Sequence, residues 1–383
     1  MNISKLETLL KKREYAKLDF KRDLNLKTAG DKKELAKDIS AIGNSRGGRG
    51  YIIFGVEDKT KDIVGIKKDD LLEEKIQQII ANRLDPPIPI KIEYIHYKNK
   101  YVGVLTIFRS IQKPHQLRQN GTFYIRRGST TDVARRFEVA SMFEEAGFIN
   151  SELIPIYDSS IKDLNLDILS DYLKKINIHY KITNELLVSM GILKKQNKSN
   201  YCLTLGGLLL FSDYPQKYLN HANIRIIIHY DDKKYIKVFK GNLIFMLDKS
   251  EAFLQDLFKY NKYPLRAILE ALRNAIVHRD YLDKHREIII YISKTKVEIS
   301  NPGILINGDT KNTIIKEKNN SRRNNWIYQK ILIMDDKKRY LESGLGILRI
   351  KESFKNKKTK IKFLNIDSRN LFKVILPGVK LKI

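Results

Sequence analysis

Residues 42–58 read Ile42-Gly43-Asn44-Ser45-Arg46-Gly47-Gly48-Arg49-Gly50-Tyr51-Ile52-Ile53-Phe54-Gly55-Val56-Glu57-Asp58. Two patterns meet here. Leading into the stretch, Leu35, Ile39 and Ile42 recur at helical spacing. Asp31 and Glu34 have the spacing of a capping box, so a helix is expected to start there. Asn44 to Gly48 is a turn-forming cluster that stops the helix. Tyr51 to Val56 is a short apolar run that reads as a buried strand, closed by the charged turn at Glu57 and Asp58.

Outward from that core the same logic continues. Leu72, Ile76, Ile79 and Ile80 mark a second helix, broken by Asp85-Pro86-Pro87. Ile90 to Tyr97 and Tyr101 to Phe108, joined by Lys98-Asn99-Lys100, predict a β-hairpin. Phe123 to Arg127 is another strand. Thr131 or Asp132 is expected to cap a helix carrying Val133, Phe137, Ala140 and Phe143. These elements place a first, mixed α/β domain at residues 1–150. Residues 151–215 read as a small helical connector with a winged-helix-like piece. Residues 216–383 form a further domain, in which Ile224 to Tyr230 is a strand, Pro264 to Tyr281 the clearest helix, and Ile288 to Ile292 with Val297 to Ile299 a strand pair. The fold class expected is α+β. A basic polar segment runs from Lys311 to Asn325.

Lys and Arg number 72 against 44 acidic residues, a formal net charge of +28. That excess points to a polyanionic partner, RNA or DNA. Lys spread evenly over a surface is only solvation, so the local features must carry the argument. The one cysteine, Cys202, leaves no internal disulfide and no thiolate zinc cluster. The charged start, Met1 to Lys21, lacks the apolar core of a signal peptide, and no apolar run approaches the roughly 18 residues of a membrane span. A cytoplasmic protein with no membrane partner is the expectation.

Chemistry-bearing residues gather in two places. In the first domain Glu14 precedes Asp19-Phe20-Lys21, and on a strand Asp19 and Lys21 face the same side. The Arg46-Gly47-Gly48 turn lets backbone N–H groups approach an anion. Tyr124-Ile125-Arg126-Arg127-Gly128-Ser129 supplies two arginines at a loop, and Arg135 and Arg136 follow. Arginine forks of this kind are what phosphate contacts need.

Asp19-Phe20-Lys21, Ile42 to Gly48, Ile53 to Asp58 and Tyr124 to Ser129, in that order, resemble the Schlafen AlbA-like family over roughly residues 5–148. The resemblance implies nucleic-acid binding. It also implies cleavage of tRNA and related RNA by three carboxylates and a divalent metal, which fall on Glu14, Asp19 and either Glu57 or Asp58. Hard carboxylate oxygens suit Mg²⁺ or Mn²⁺, and such an ion activates water and stabilises charge on the scissile phosphate. Lys21 is then placed to steady the water or a phosphate oxygen. The second acid is Asp where Schlafen nucleases commonly carry Glu, so its carboxylate reaches one methylene less.

In the second half, Leu265, Ile268, Leu269, Leu272 and Ile276 form one helix face, while Glu270, Asn274 and His278 line up on the opposite one. A Glu–Asn pair at this spacing holds a metal through Asn274 and poises a water through Glu270. With Leu203 to Phe211 before it and Ile299-Ser300-Asn301-Pro302-Gly303 after it, this helix resembles the N-box of the GHKL fold in the RecG-like C-terminal ATP-binding family, over about residues 200–377. The resemblance implies an α/β sandwich that binds ATP, with Asn301 and Gly303 at the base-reading segment and Gly344 and Gly346 in the glycine-rich nucleotide turn. Asn301 stands where GHKL proteins place an Asp. No Walker A motif and no helicase motor motif is present, which argues against a helicase.

Two functions follow as expectations. The first is a metal-dependent endoribonuclease on tRNA or structured RNA, gated by a nucleotide-binding module, with a role in phage defence. The alternative is a non-catalytic DNA-binding regulator whose C-terminal half senses a nucleotide or oligomerises. A homo-oligomer is expected in either case.

Overall fold

The computed structural model of the chain describes residues 1–67, 72–179, 181–230, 232–304, 323–340, 345–355, 361–366 and 369–381. The chain divides into two compact units, Met1–Ile149 and Asn150–Ile383.

The first unit runs α1 (Ile3–Leu10), β1 (Leu18–Lys21), α2 (Ala29–Asn44), β2 (Gly50–Phe54), α3 (Glu73–Arg83), β3 (Leu84–Asp85), β4 (Ile90–Tyr97), β5 (Lys100–Ile107), β6 (Gln116–Leu117), β7 (Thr122–Arg127), β8 (Thr130–Val133) and α4 (Arg136–Glu145). Its main sheet has the order β1-β2-β5-β4, with β1 parallel to β2 and the rest antiparallel. A strand alternates its side chains between faces, and here both faces are covered. Ile52, Phe54, Leu105 and Ile107 pack with Leu35, Ile39 and Ile42 of α2 and Ile76 and Ile80 of α3. Tyr51, Ile53, Val102 and Val104 pack on the other side with Leu6 and Leu9 of α1. The run at 51–54 is apolar throughout because neither of its faces meets water.

Two boundaries differ from the sequence reading. The true cap of α2 is Thr28, whose hydroxyl accepts from Asp31 N at 3.1 Å while the Asp31 carboxylate accepts from Thr28 N at 2.9 Å. Asp31 is the third residue of the capping box rather than its first. Residues Thr130–Val133 do not cap or begin a helix: they pair antiparallel with Tyr124–Arg127 as β8. Their β-branched residues gain more from that ladder than from a helix turn, and α4 starts at Arg136.

The second unit runs α5 (Leu166–Lys175), α6 (Asn184–Ser189), β9 (Leu193–Lys195), β10 (Tyr201–Leu203), α7 (Leu205–Phe211), β11 (Ile224–Tyr230), β12 (Lys233–Phe239), α8 (Leu243–Leu257), α9 (Leu265–His278), β13 (Ile288–Ser293), β14 (Lys296–Pro302), α10 (Asn325–Met334), α11 (Gly346–Glu352), β15 (Lys362–Ile366) and β16 (Leu371–Pro377). Its sheet order is β12-β11-β13-β14-β16-β15, with β11 and β13 parallel and the other neighbours antiparallel. Ile224, Ile226 and Ile228 are buried while Arg225 and Ile227 between them are only half-buried. One sheet face therefore carries the core against α7, α8 and α9, the α/β sandwich expected. Residues of α5, α6 and α7 belong to that same core.

Candidate functional site

In the first unit the acid group forms around β1. The Glu14 carboxylate accepts a hydrogen bond from Phe20 N at 2.8 Å, which folds the segment before β1 back onto the strand. Burial raises the Glu14 carboxyl to about 7; the Phe20 N–H opposes this, and the nearby charges of Asp19 and Asp58 together with a carboxyl–carboxylate hydrogen bond to Asp19 add to it. Glu14 therefore carries its proton to higher pH than an ordinary carboxyl, with Asp19 and Asp58 as its acidic neighbours.

Asp19 is buried and doubly held. Arg126 Nη2 donates to its Oδ1 at 2.8 Å, and Lys21 Nζ lies 3.4 Å from its Oδ2. Lys21 also pairs with Asp38 of α2 at 2.7 Å. Burial opposes the Lys21 charge, yet Asp38 and Asp19 more than offset it and hold the ammonium above its usual value. The two candidates for the third acid separate: Asp58 is among the charges acting on Glu14 and lies 3.3 Å from Lys61, whereas Glu57 pairs with Arg22 at 3.5 Å.

The arginines read as phosphate contacts fall into two sets. Arg126 has only 2% of its side chain exposed and serves Asp19, with its backbone N–H on Ser45 Oγ at 2.8 Å. Arg46 turns inward to α4, donating to Ser141 Oγ at 2.7 Å and pairing with Glu145 at 3.0 Å. Arg127 is held by Asp132 and Glu138. Arg135 and Arg136 are exposed at the start of α4. Beneath the Gly47 turn lies Lys17, a residue the sequence did not single out. Its Nζ donates to the Ile42 carbonyl, and burial, then the charges of Lys113 and Arg109, bring its ammonium down to about 7 despite Glu145. Lys17 sits in an ordinary basic run, and nothing in its neighbours marks it as buried.

Asn44 is the joint of this region. Its side-chain amide donates to the carbonyls of His115 and Tyr124 and accepts from His115 N at 2.7 Å, tying the end of α2 to β7 and to the residue before β6.

In the second unit Glu270 and Asn274 meet α11. A Cβ on Gly346 would lie 2.5 Å from Asn274 Nδ2 and 2.7 Å from Glu270 Oε1, so no residue with a side chain fits there undisturbed. Arg349, one turn further along α11, places Nη1 3.6 Å from Glu270 Oε2. The polar face of α9 is therefore covered: Glu270 is buried, and Asn274 and His278 are half-buried. The structure brings Glu270, Asn274 and Gly346 together. Asn301 Oδ1 is buried without a hydrogen-bond partner among the described residues. Gly303 has φ +106°, and a Cβ on it would crowd Arg323 and Asp280. Gly344 and most of the basic segment at 311–325 lie outside the described residues.

Among the described residues no group of three or more His, Cys, Asp or Glu side chains is set to hold a metal ion. Among the same residues no helix is long and apolar enough to cross a membrane.

Residues 14–135 match the family described as Schlafen, AlbA_2. Residues 285–376 match the family described as putative ATP-dependent DNA helicase recG C-terminal. The chain therefore carries an N-terminal Schlafen AlbA_2 domain and a C-terminal ATPase-type domain of the RecG C-terminal kind. Together these define a protein with a nucleic-acid-related function. The second match begins beyond α9, so Glu270, Asn274 and His278 lie upstream of it. Among solved structures the chain is similar to the DIP2311 protein from Corynebacterium diphtheriae, at 18% identity and a TM-score of 0.43, covering 100% of this chain and 81% of that one. It is also similar to the N-terminal domain of a putative ATP-dependent DNA helicase RecG-related protein from Nitrosomonas europaea, at 19% identity and a TM-score of 0.26, covering 34% of this chain and 89% of that one. No curated protein matches the chain.

Proposed function

We propose that this protein is a metal-dependent endoribonuclease acting on tRNA or similarly structured RNA, with its C-terminal unit as a nucleotide-binding module that gates it, in the setting of phage defence. The observation that carries the reading is the placement of Asp19 and Asp58 close enough to the half-buried Glu14 for their charges to raise it. Neighbouring carboxylates whose charges repel one another are relieved by a hard divalent cation with oxygen ligands. Asp19 accepts from Arg126 and Lys21, yet a carboxylate has about four lone-pair sites, so capacity for a cation remains. Glu14 and Asp19 are the residues that would hold Mg²⁺ or Mn²⁺, with Asp58 adding negative charge. The ion would supply Lewis acidity at the scissile phosphate. Arg126 keeps Asp19 in one orientation. Lys21, held charged by Asp38 and Asp19, faces a phosphate oxygen or the attacking water.

In the C-terminal unit, Glu270 and Asn274 against Gly346 support an ATP site, and Asn301 Oδ1 is a buried acceptor without a partner among the described residues. Asn274 would bear the Mg²⁺ of the nucleotide and Glu270 would poise water.

The second reading, a non-catalytic DNA-binding regulator, is favoured by a different observation: Asp19 already has both oxygens paired with cations. Labelled tRNA and labelled duplex DNA, incubated with the purified protein in Mg²⁺, Mn²⁺ or EDTA, separate the two. Metal-dependent tRNA scission that Asp19→Asn abolishes supports the nuclease. Retention of duplex DNA with no scission in any metal supports the regulator.

A further inference from the structure

Between the first turn of α2, the C-terminal half of α3 and the β6–β7 turn lies a cavity of about 560 Å³. Its wall carries four cations, Lys32 and Lys33 from α2, Arg83 from α3 and Arg118 from the β6–β7 turn, and no Asp or Glu is among the lining residues. None of the four pairs with a carboxylate among the described residues. Arg118 alone is anchored, its Nε donating to the Leu84 carbonyl at 3.2 Å, which fixes the stem and leaves the terminal nitrogens of its guanidinium. Gln78 and Asn82, one turn apart on α3, add exposed amides that both donate and accept. The floor is apolar, formed by Ile79 and Leu117.

This composition selects among ligands. An acid-free wall of cations repels cationic and neutral-basic ligands and attracts phosphates. Amides beside the cations suit the sugar and base edges that accompany a nucleic-acid backbone. A membrane surface would need an apolar rim, and the rim here is charged and amide. Most arginines elsewhere in the unit that were candidates for this work are internally paired, as Arg46, Arg126 and Arg127 are. Lys32 precedes Asp38, the partner of Lys21, by six residues of one helix, which is about 9 Å of axial rise.

We propose that this cavity is a binding groove for the phosphodiester backbone of a single strand or loop of nucleic acid, with Lys32, Lys33, Arg83 and Arg118 as its phosphate contacts. The proposal rests on the nucleic-acid reading above and names where the strand sits. The test is Lys32→Gln/Lys33→Gln in the full chain, chosen because neither side chain makes a contact that the fold needs. Affinity for a labelled single-stranded RNA oligonucleotide and for its DNA counterpart is measured over a range of salt. Two lost phosphate contacts are expected to reduce the slope of log affinity against log salt by about 1.4, and to weaken binding roughly 25-fold at about 0.1 M salt. Lys198→Gln, in an exposed turn of the second unit, serves as the control and should match the wild type. A double variant that keeps wild-type affinity and slope overturns the groove while the nucleic-acid reading stands. Absence of binding by the wild type to either strand overturns both. Equal loss in the control shows that net charge, not this groove, sets the affinity, and also overturns the proposal.

Discussion

Replacing Arg126 by Met tests whether this arginine belongs to the fold or to the nucleic-acid surface. The side chain is 2% exposed and its partner Asp19 is 9% exposed, with 2.8 Å between Nη2 and Oδ1. Met keeps most of the apolar stem, so packing is largely preserved and the change isolates the charge. Removing one partner of a buried pair costs about 3–5 kcal/mol, because the other charge stays buried and uncompensated. Lys21 remains 3.4 Å from Asp19, which places the expectation near about 3 kcal/mol. The double variant Asp19→Asn/Arg126→Met should regain about half of that, since no carboxylate is then stranded. The chain has two units, so one global transition is not assumed. Its single tryptophan, Trp326, lies in the second unit and reports on that unit alone. In urea, far-UV circular dichroism of Arg126→Met should show an early transition, displaced by roughly 1.5–2 M for a slope of about 1.5–2 kcal/mol per molar. Trp326 fluorescence should keep the wild-type midpoint. Coincidence of the variant and wild-type dichroism curves would refute the structural role of the pair.

Other outcomes follow from the same geometry. Glu14 must lose its proton to bind a cation, so Mg²⁺ or Mn²⁺ affinity should rise with pH up to about 7 and level off above it, with proton release visible by calorimetry in buffers of different ionisation heat; a flat pH profile excludes Glu14 as ligand. Gly346→Val should abolish ATP binding by driving a side chain into Asn274 and Glu270, and Asn274→Ala should do so without unfolding the unit; calorimetric titration with Mg-ATP reads both. Burial, then the Arg279 charge, lowers the His221 imidazole to about 4. The unfolded chain therefore binds the extra proton between about 6.5 and 4, and stability of the second unit should fall as pH drops through that window, by on the order of 2–3 kcal/mol. The Trp326 urea midpoint should show that decline, and His221→Gln should flatten it.

Elements with strong local periodicity were legible in the sequence. The strand at Ile224–Tyr230 has the predicted bounds, and the hairpin at 90–107 lies within a residue of them. The α9 helix was equally plain from its apolar stripe. What failed to show was whatever depends on a distant partner. The helix Ile3–Leu10 hides in a charged N-terminus because only Leu6 and Leu9 are buried. β12 carries an almost wholly exposed edge pattern, so burial leaves no alternation to read. The polar face of α9 read as a metal and nucleotide site, and its burial did not show because α11 returns from far along the chain to cover it.

Charge was the least legible property, and the reason is physical. Counting Lys and Arg gives their number but not their partners. Arg126 and Asp19 stand 107 residues apart and meet in the interior. Arg46 looked like a phosphate ligand beside glycines, yet Glu145 claims it. A cation paired with a buried carboxylate contributes little potential outside the protein, whereas an unpaired one contributes in full. The positive potential available to a polyanion in the first unit therefore comes from cations that the fold leaves without acids. Lys32, Lys33, Arg83 and Arg118 are such a set, contributed by three separated segments that no sequence window joins. The Lys21 ammonium belongs to the opposite class, because Asp38 and Asp19 hold it charged within the acid group. On the proposed nuclease reading, binding and chemistry are separable in this unit: substitutions in the groove should alter affinity and its salt dependence, while Asp19→Asn should alter cleavage and leave the salt slope in place.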